Sequence, residues 1–153
     1  FEAGSTVAVS GGGVTVKSVT VTSPTLLTLM ISVSSGAALG SRVATVNSPG
    51  HAAVDCSGCF DVGAGPTIAS ITPGAVALGQ TAVDVDITGA NFADAVKVGG
   101  GGDGITIRSV TRIDSGHLHV SVDVGGTSLF GVHTFSVVNT DGGKATVGET
   151  VTS

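Results

Sequence analysis

Apolar and polar residues alternate with period two along most of this chain, the signature of half-buried strands, and helical periodicity is hard to find. Val83, Val85 and Ile87 fall on one face of a predicted strand, with Asp84 and Asp86 on the other. Leu118, Val120, Val122 and Val124 form a second apolar face, opposite His117, His119, Ser121 and Asp123. Leu27, Leu29, Ile31 and Val33 form a third, but here the opposite face carries Leu26 and Met30. Phe135 and Val137 belong to a later strand, which Asn139-Thr-Asp-Gly-Gly143 ends with a strong turn signal. The glycine-rich stretch from Gly99 to Gly104 predicts a hairpin or bulge, where positive φ is tolerated. Short strands at this spacing, separated by Gly, Asn and Asp turns, predict an antiparallel β-sandwich.

The pattern also recurs. Phe1 aligns with Phe92, Val7 with Val98, and Gly11 and Gly13 with Gly102 and Gly104. Val14-Thr-Val-Lys-Ser-Val-Thr20 mirrors Ile105-Thr-Ile-Arg-Ser-Val-Thr111 without a gap, and Leu27 and Val33 mirror Leu118 and Val124. After a one-residue slip, Asn47-Ser-Pro-Gly50 falls on Asn139-Thr-Asp-Gly142. A period of this size implies an array of similar modules. The chain therefore divides into residues 1–63 and 64–153, with Ala64-Gly65-Pro66 as the boundary. A linker so short and stiffened by proline argues for modules held in a fairly fixed order. Residues 65–91 have no counterpart in the first module, which is expected to be unable to close its own core. Two explanations stand side by side: the sequence is part of a longer polypeptide, or another subunit donates the missing strands.

Composition narrows the function. Hydrophobic residues make up 41% of the chain, enough for a core, and charged residues only 11%, which suits an extracellular scaffold coated in Ser, Thr and Gly. Six Lys plus Arg against eleven Asp plus Glu leave a net charge of −5, so a phosphate backbone would meet no basic patch. No apolar run reaches the roughly 18 residues a spanning helix needs. Trp and Tyr are absent, and most of the five Phe fall at strand or core positions, so a dedicated sugar-stacking platform is disfavoured.

Four segments together resemble a known family. Pro66-Thr-Ile-Ala-Ser-Ile-Thr-Pro73, Gly79-Gln80, Ile87-Thr-Gly-Ala-Asn-Phe92 and Val137-Val-Asn-Thr-Asp-Gly142 are similar to the pattern of the IPT/TIG family of immunoglobulin-like domains. Residues 65–153 resemble one whole module and residues 1–63 the later two-thirds of another. The resemblance implies tandem immunoglobulin-like β-sandwiches, the first lacking its opening strands, with Pro66, Pro73, Gly89, Phe92, Asn139 and Gly142 carrying the fold. Such modules occur in bacterial surface and secreted proteins, beside polysaccharide-acting enzymes, in cell-surface receptors and in some transcription factors. The last of these is excluded here by charge, and fold analogy does not choose among the rest.

Few residues suggest chemistry. Cys56-Ser-Gly-Cys59 reads as a redox pair, half of a zinc site or a small disulfide loop. No helix follows to lower a thiol pKa, and only His51 and Asp55 lie nearby as further ligands, so a structural disulfide between Cys56 and Cys59 is the favoured reading. His117 and His119 share a strand face, and His133 on a nearby strand would complete a three-histidine site, but a solvated polar face is the favoured reading. Asp84 and Asp86 share a face and suit either a cation or plain solvation. The glycines at 99–102 lack the Gly-Lys-Ser/Thr of a phosphate loop, and neither a G-x-S-x-G elbow nor an H-E-x-x-H pair occurs.

The expectation is thus a non-catalytic, cofactor-free and metal-free extracellular repeat of a surface or filament protein, structural or adhesive. Its partners would be copies of itself or adjacent modules, without nucleic acid and without membrane insertion, and with carbohydrate contact as a minor prospect. Phe1, Leu26 and Met30 are the candidate interface residues, Leu26 and Met30 because they place apolar side chains on a nominally wet face. The alternative is an accessory β-sandwich module of a secreted polysaccharide-acting enzyme.

Overall fold

A computed structural model describes residues 1–100, 102 and 104–153. The Gly99–Gly104 turn expected from the sequence includes Gly101 and Asp103, which lie outside the described residues. The described residues form strands and turns and no helix, so the protein is all-β. The chain folds as two compact units, Phe1–Ala64 and Gly65–Ser153.

Unit 1 holds five strands: β1 (Thr6–Val9), β2 (Val14–Ser23), β3 (Leu26–Val33), β4 (Gly40–Asn47) and β5 (Val54–Val62). They form a three-stranded sheet, β1-β4-β5, and a two-stranded ribbon, β2-β3. Unit 2 holds eight: β6 (Thr67–Thr72), β7 (Ala75–Ala77), β8 (Val83–Ala90), β9 (Lys97–Gly100), β10 (Ile105–Asp114), β11 (His117–Val124), β12 (Gly131–Val138) and β13 (Lys144–Thr152). Its two four-stranded sheets run β10-β11-β8-β6 and β7-β13-β12-β9.

The internal repeat is a repeat of pairing. β1, β2, β3, β4 and β5 pair as β9, β10, β11, β12 and β13 do, and the last five strands of unit 2 reproduce unit 1 strand for strand. Even the irregularities coincide. The β2–β3 register shifts between Val16 and Ser18 and between Val21 and Ser23, and the β10–β11 register between Ile107 and Ser109 and between Arg112 and Asp114. Each bulge twists the ribbon locally, so the same ribbon shape is built twice. What unit 2 adds is the segment β6-β7-β8. β8 pairs antiparallel with β11, β6 pairs antiparallel with β8, and β7 pairs parallel with the end of β13.

That addition closes a core. Val85, Ile87, Phe92, Leu118, Val120, Val122, Phe135, Val137 and Val151 are buried in one cluster, every member of it in unit 2. Phe92 is held there by two distant turns. The side chain of the buried Asn139 donates to the Asn91 carbonyl at 2.7 Å and accepts from the Ala93 amide at 3.0 Å. Asn91 itself lies at φ 60°, a conformation Asn tolerates. Gly89 precedes this loop because a Cβ there would sit 1.9 Å from the Thr67 carbonyl oxygen and 2.7 Å from the Phe92 ring.

Candidate functional site

The largest contrast within the molecule is between equivalent positions of the two units. Leu118, Val120 and Val122 of β11 are at most 1% exposed, whereas Leu27, Leu29 and Ile31 of β3 are only half-buried. Val33 is 46% exposed and its counterpart Val124 2%; Phe1 is 40% exposed and its counterpart Phe92 2%. The sequences at these positions are alike, so composition does not explain the difference. Coverage does. In unit 2, β8 lies along β11 and supplies Val83, Val85 and Ile87 to the interior; along the same edge of β3 no strand is paired among the described residues. The edge therefore presents backbone groups and apolar side chains together, a surface that favours pairing with further chain.

Unit 1 also holds a cavity of about 420 Å³ lined by Phe1, Glu2, Pro24, Val46, His51 and Val54. His51 Nε2 stands 3.2 Å from Glu2 Oε1 across it. Leu26 and Met30, on the outward face of β3, are exposed. Of the three interface candidates, Phe1 therefore borders the cavity and the other two flank the open strand edge. The cavity itself was not foreseen, because its walls come from three loops and two strands that only folding brings together.

The histidine and aspartate candidates of β8 and β11 meet on one partly exposed face. β8 and β11 bring Asp84, Asp86, His117 and His119 onto one outward face. His119 Nδ1 donates to Asp86 Oδ1 at 2.9 Å, and its Nε2 lies 3.3 Å from Asp84 Oδ1. His117 Nε2 approaches Asp86 at 3.4 Å, an ion-pair distance without a hydrogen bond. The hydrogen bond from His119 holds the Asp86 carboxyl below its ordinary range, and the same bond raises His119 above 6.5. His133 stands on β12, in the other sheet, where Nε2 donates to the Leu129 carbonyl at 2.7 Å. The three histidines thus do not converge, and no metal-holding group of three ligands occurs among the described residues. Farther along the face Ser70 and Thr88 share a hydrogen bond of 2.6 Å, and Arg108 reaches both carboxylate oxygens of Asp123 at 3.0 Å. It is a polar, cross-linked outer surface.

Cys56 and Cys59 are joined as a disulfide, with Cα atoms 5.7 Å apart. Cys56 stays paired with Ala44, but Arg42 pairs with Phe60 and Val43 with Ser57, so Gly58 and Cys59 bulge out of β5, and Gly58 turns the chain at φ 70°. Both cysteines are exposed on the strand's surface, and neither lines the cavity at Phe1.

One residue carries an environment the sequence reading passed over. Glu149 lies on the inward face of β13 between Val147 and Val151, is 1% exposed, and neither carboxylate oxygen has a partner among the described residues. Desolvation pushes its pKa from 4.5 to about 7. The signal was present in the alternation Val147-Gly-Glu-Thr-Val151, which sets Glu149 in phase with two core valines.

No family model matches the chain, and no curated protein matches it. Among solved structures, the chain is similar to the surface glycan-binding protein SGBP-B of the mixed-linkage glucan utilization locus of Bacteroides ovatus, determined with a mixed-linkage heptasaccharide. The two share 15% identity and superpose with a TM-score of 0.42 over 96% of this chain and 42% of that one. The chain thus spans less than half the length of that structure.

Proposed function

We propose that this chain is a non-catalytic structural or adhesive repeat of an extracellular surface or filament protein, built from tandem immunoglobulin-like modules of the IPT/TIG type. One observation carries the reading. Unit 1 repeats the strand pairing of unit 2 yet leaves Leu27, Leu29, Ile31 and Phe1 uncovered where unit 2 buries their counterparts. A module with an open strand edge works by joining its neighbours. The meeting of the T-G-A-N-F and N-T-D-G segments at Asn139 supports the IPT/TIG assignment. The exposed disulfide supports an oxidising, extracellular setting. Carbohydrate recognition has less to rest on: of five phenylalanines, Phe92 and Phe135 are buried, and Phe1 and Phe130 are exposed at separate places in different units.

The test combines sedimentation velocity over a concentration series with electrophoresis through gels containing soluble β-glucans. Reversible association that weakens in a Leu26→Ser, Met30→Ser double variant is the expected result. A concentration-independent monomer whose migration is retarded by a glucan would replace the structural reading with the accessory one.

A further inference from the structure

The uncovered side of unit 1 has a defined shape, and each part of it is filled in unit 2 by residues 66–90. β8 covers the edge of β11, and β7 covers the edge of β13. Pro66 stands over Gly143, so close that a Cβ on that glycine would lie 2.8 Å from the proline ring, and Gly89 lies against the Phe92 ring. In unit 1 the matching features are the free edge of β3, the free edge of β5, and the cavity bordered by Phe1, Pro24 and Val54. In unit 2 the Phe92 amide donates to the Ser115 carbonyl in the β10–β11 turn, and β8, which leads into this loop, runs antiparallel to β11.

We infer that the open side of unit 1 is an acceptor site for a polypeptide opening segment of the kind unit 2 carries at residues 66–90. It lies antiparallel to β3 in extended conformation. The β8–β11 register, transferred to β3, sets the counterpart of Ile87 opposite Leu27, that of Val85 opposite Leu29 and that of Val83 opposite Ile31. Its outward positions differ in character from those of β8. Asp84 and Asp86 face Ser121 and His119, but the matching residues of β3 are Met30 and Thr28, which offer no cation. The occupant therefore carries uncharged side chains at those two places, and this makes the site selective against the chain's own β8.

The proposal rests on the modular reading of unit 1. Its test is a graft in which a copy of residues 65–91 is joined ahead of Phe1 in the full chain, with the copies of both aspartates replaced by threonine. Hydrogen exchange at the β3 amides is expected to slow at least 100-fold, and the lower of the two melting transitions to rise. A graft displaced by one residue flips every side chain to the wrong face and is expected to do neither. Equal protection by both grafts, or an unprotected β3 beside a graft that stays protease-sensitive while unit 2 remains folded, would overturn the acceptor site. Protection of β3 together with glucan-retarded migration would keep the site and remove only the structural role, so the two failures are separable.

Discussion

Replacing Glu149 by Gln gives the most direct test of the forces in unit 2. The side chain keeps its size and loses its charge. With a folded pKa of about 7 against 4.5 for the free group, the folded state holds the proton more tightly than the unfolded state does. Stability from this residue is therefore intact below about pH 4.5, falls as pH rises towards 7, and is constant above. At about 1.36 kcal/mol per pKa unit the full loss is at most about 3 kcal/mol. Glu149→Gln abolishes that dependence. The variant should match the parent near pH 4, where both side chains are neutral, and exceed it at pH 8 by up to about 3 kcal/mol, or about 15 °C in Tm for a domain of this size. Without Trp or Tyr, intrinsic fluorescence is a poor probe, so scanning calorimetry and far-UV circular dichroism are the assays. The upper transition should move and the unit 1 transition should not. A stability difference between parent and variant that stays flat from pH 4 to 8 would refute the assignment of a desolvated carboxylate.

On the outer face, Asp86→Asn should return the His119 titration, followed by NMR, towards 6.5. The pair contributes between the depressed pKa of Asp86 and the raised pKa of His119, being lost as pH falls through the first or rises through the second. An unchanged His119 titration would show that Asp84 dominates instead. Gly89→Ala drives a methyl group into the Thr67 backbone and the Phe92 ring, and should cost unit 2 more than 2 kcal/mol in urea unfolding while leaving unit 1 untouched. Converting Cys56 and Cys59 together to Ser opens a four-residue loop and should lower only the unit 1 transition, by about 2 kcal/mol on chain-entropy grounds.

Strand positions were legible because period-two alternation survives in nearly every segment, from Leu27–Val33 to Leu118–Val124. The recurring glycine- and asparagine-bearing segments were legible as text but not as contacts. Nothing in Thr88-Gly-Ala-Asn-Phe92 or Asn139-Thr-Asp-Gly142 states that the Asn139 amide bridges the Asn91 carbonyl and the Ala93 amide. The histidines show the limit most clearly. His117, His119, Asp84 and Asp86 were each placed on an outward face, but whether they meet depends on register between strands 33 residues apart. That register is set by the burial of Val85 and Ile87 against Leu118 and Val120 on the other side of the sheet. The cavity beside Phe1 was illegible for a related reason, since its lining comes from segments far apart in the chain and is not a property of any one of them. Glu149 could have been found, since its strand phase was already in the alternation.

The parallel pairing of β7 with β13 also decides how unit 2 bears tension. Thr150, Val151 and Thr152 lie beside Ala75, Val76 and Ala77, with the Leu78 amide bonded to the Thr152 carbonyl at 3.2 Å. A pull applied at Gly65 and Ser153 draws these two strands in opposite directions along their common axis. Their hydrogen bonds are then loaded side by side and must break together instead of opening one at a time from an end. Unit 1, whose β5 has no such companion among the described residues, is spared that arrangement until its edge is filled. A strand paired parallel to β5 would give unit 1 the same side-by-side loading of its hydrogen bonds.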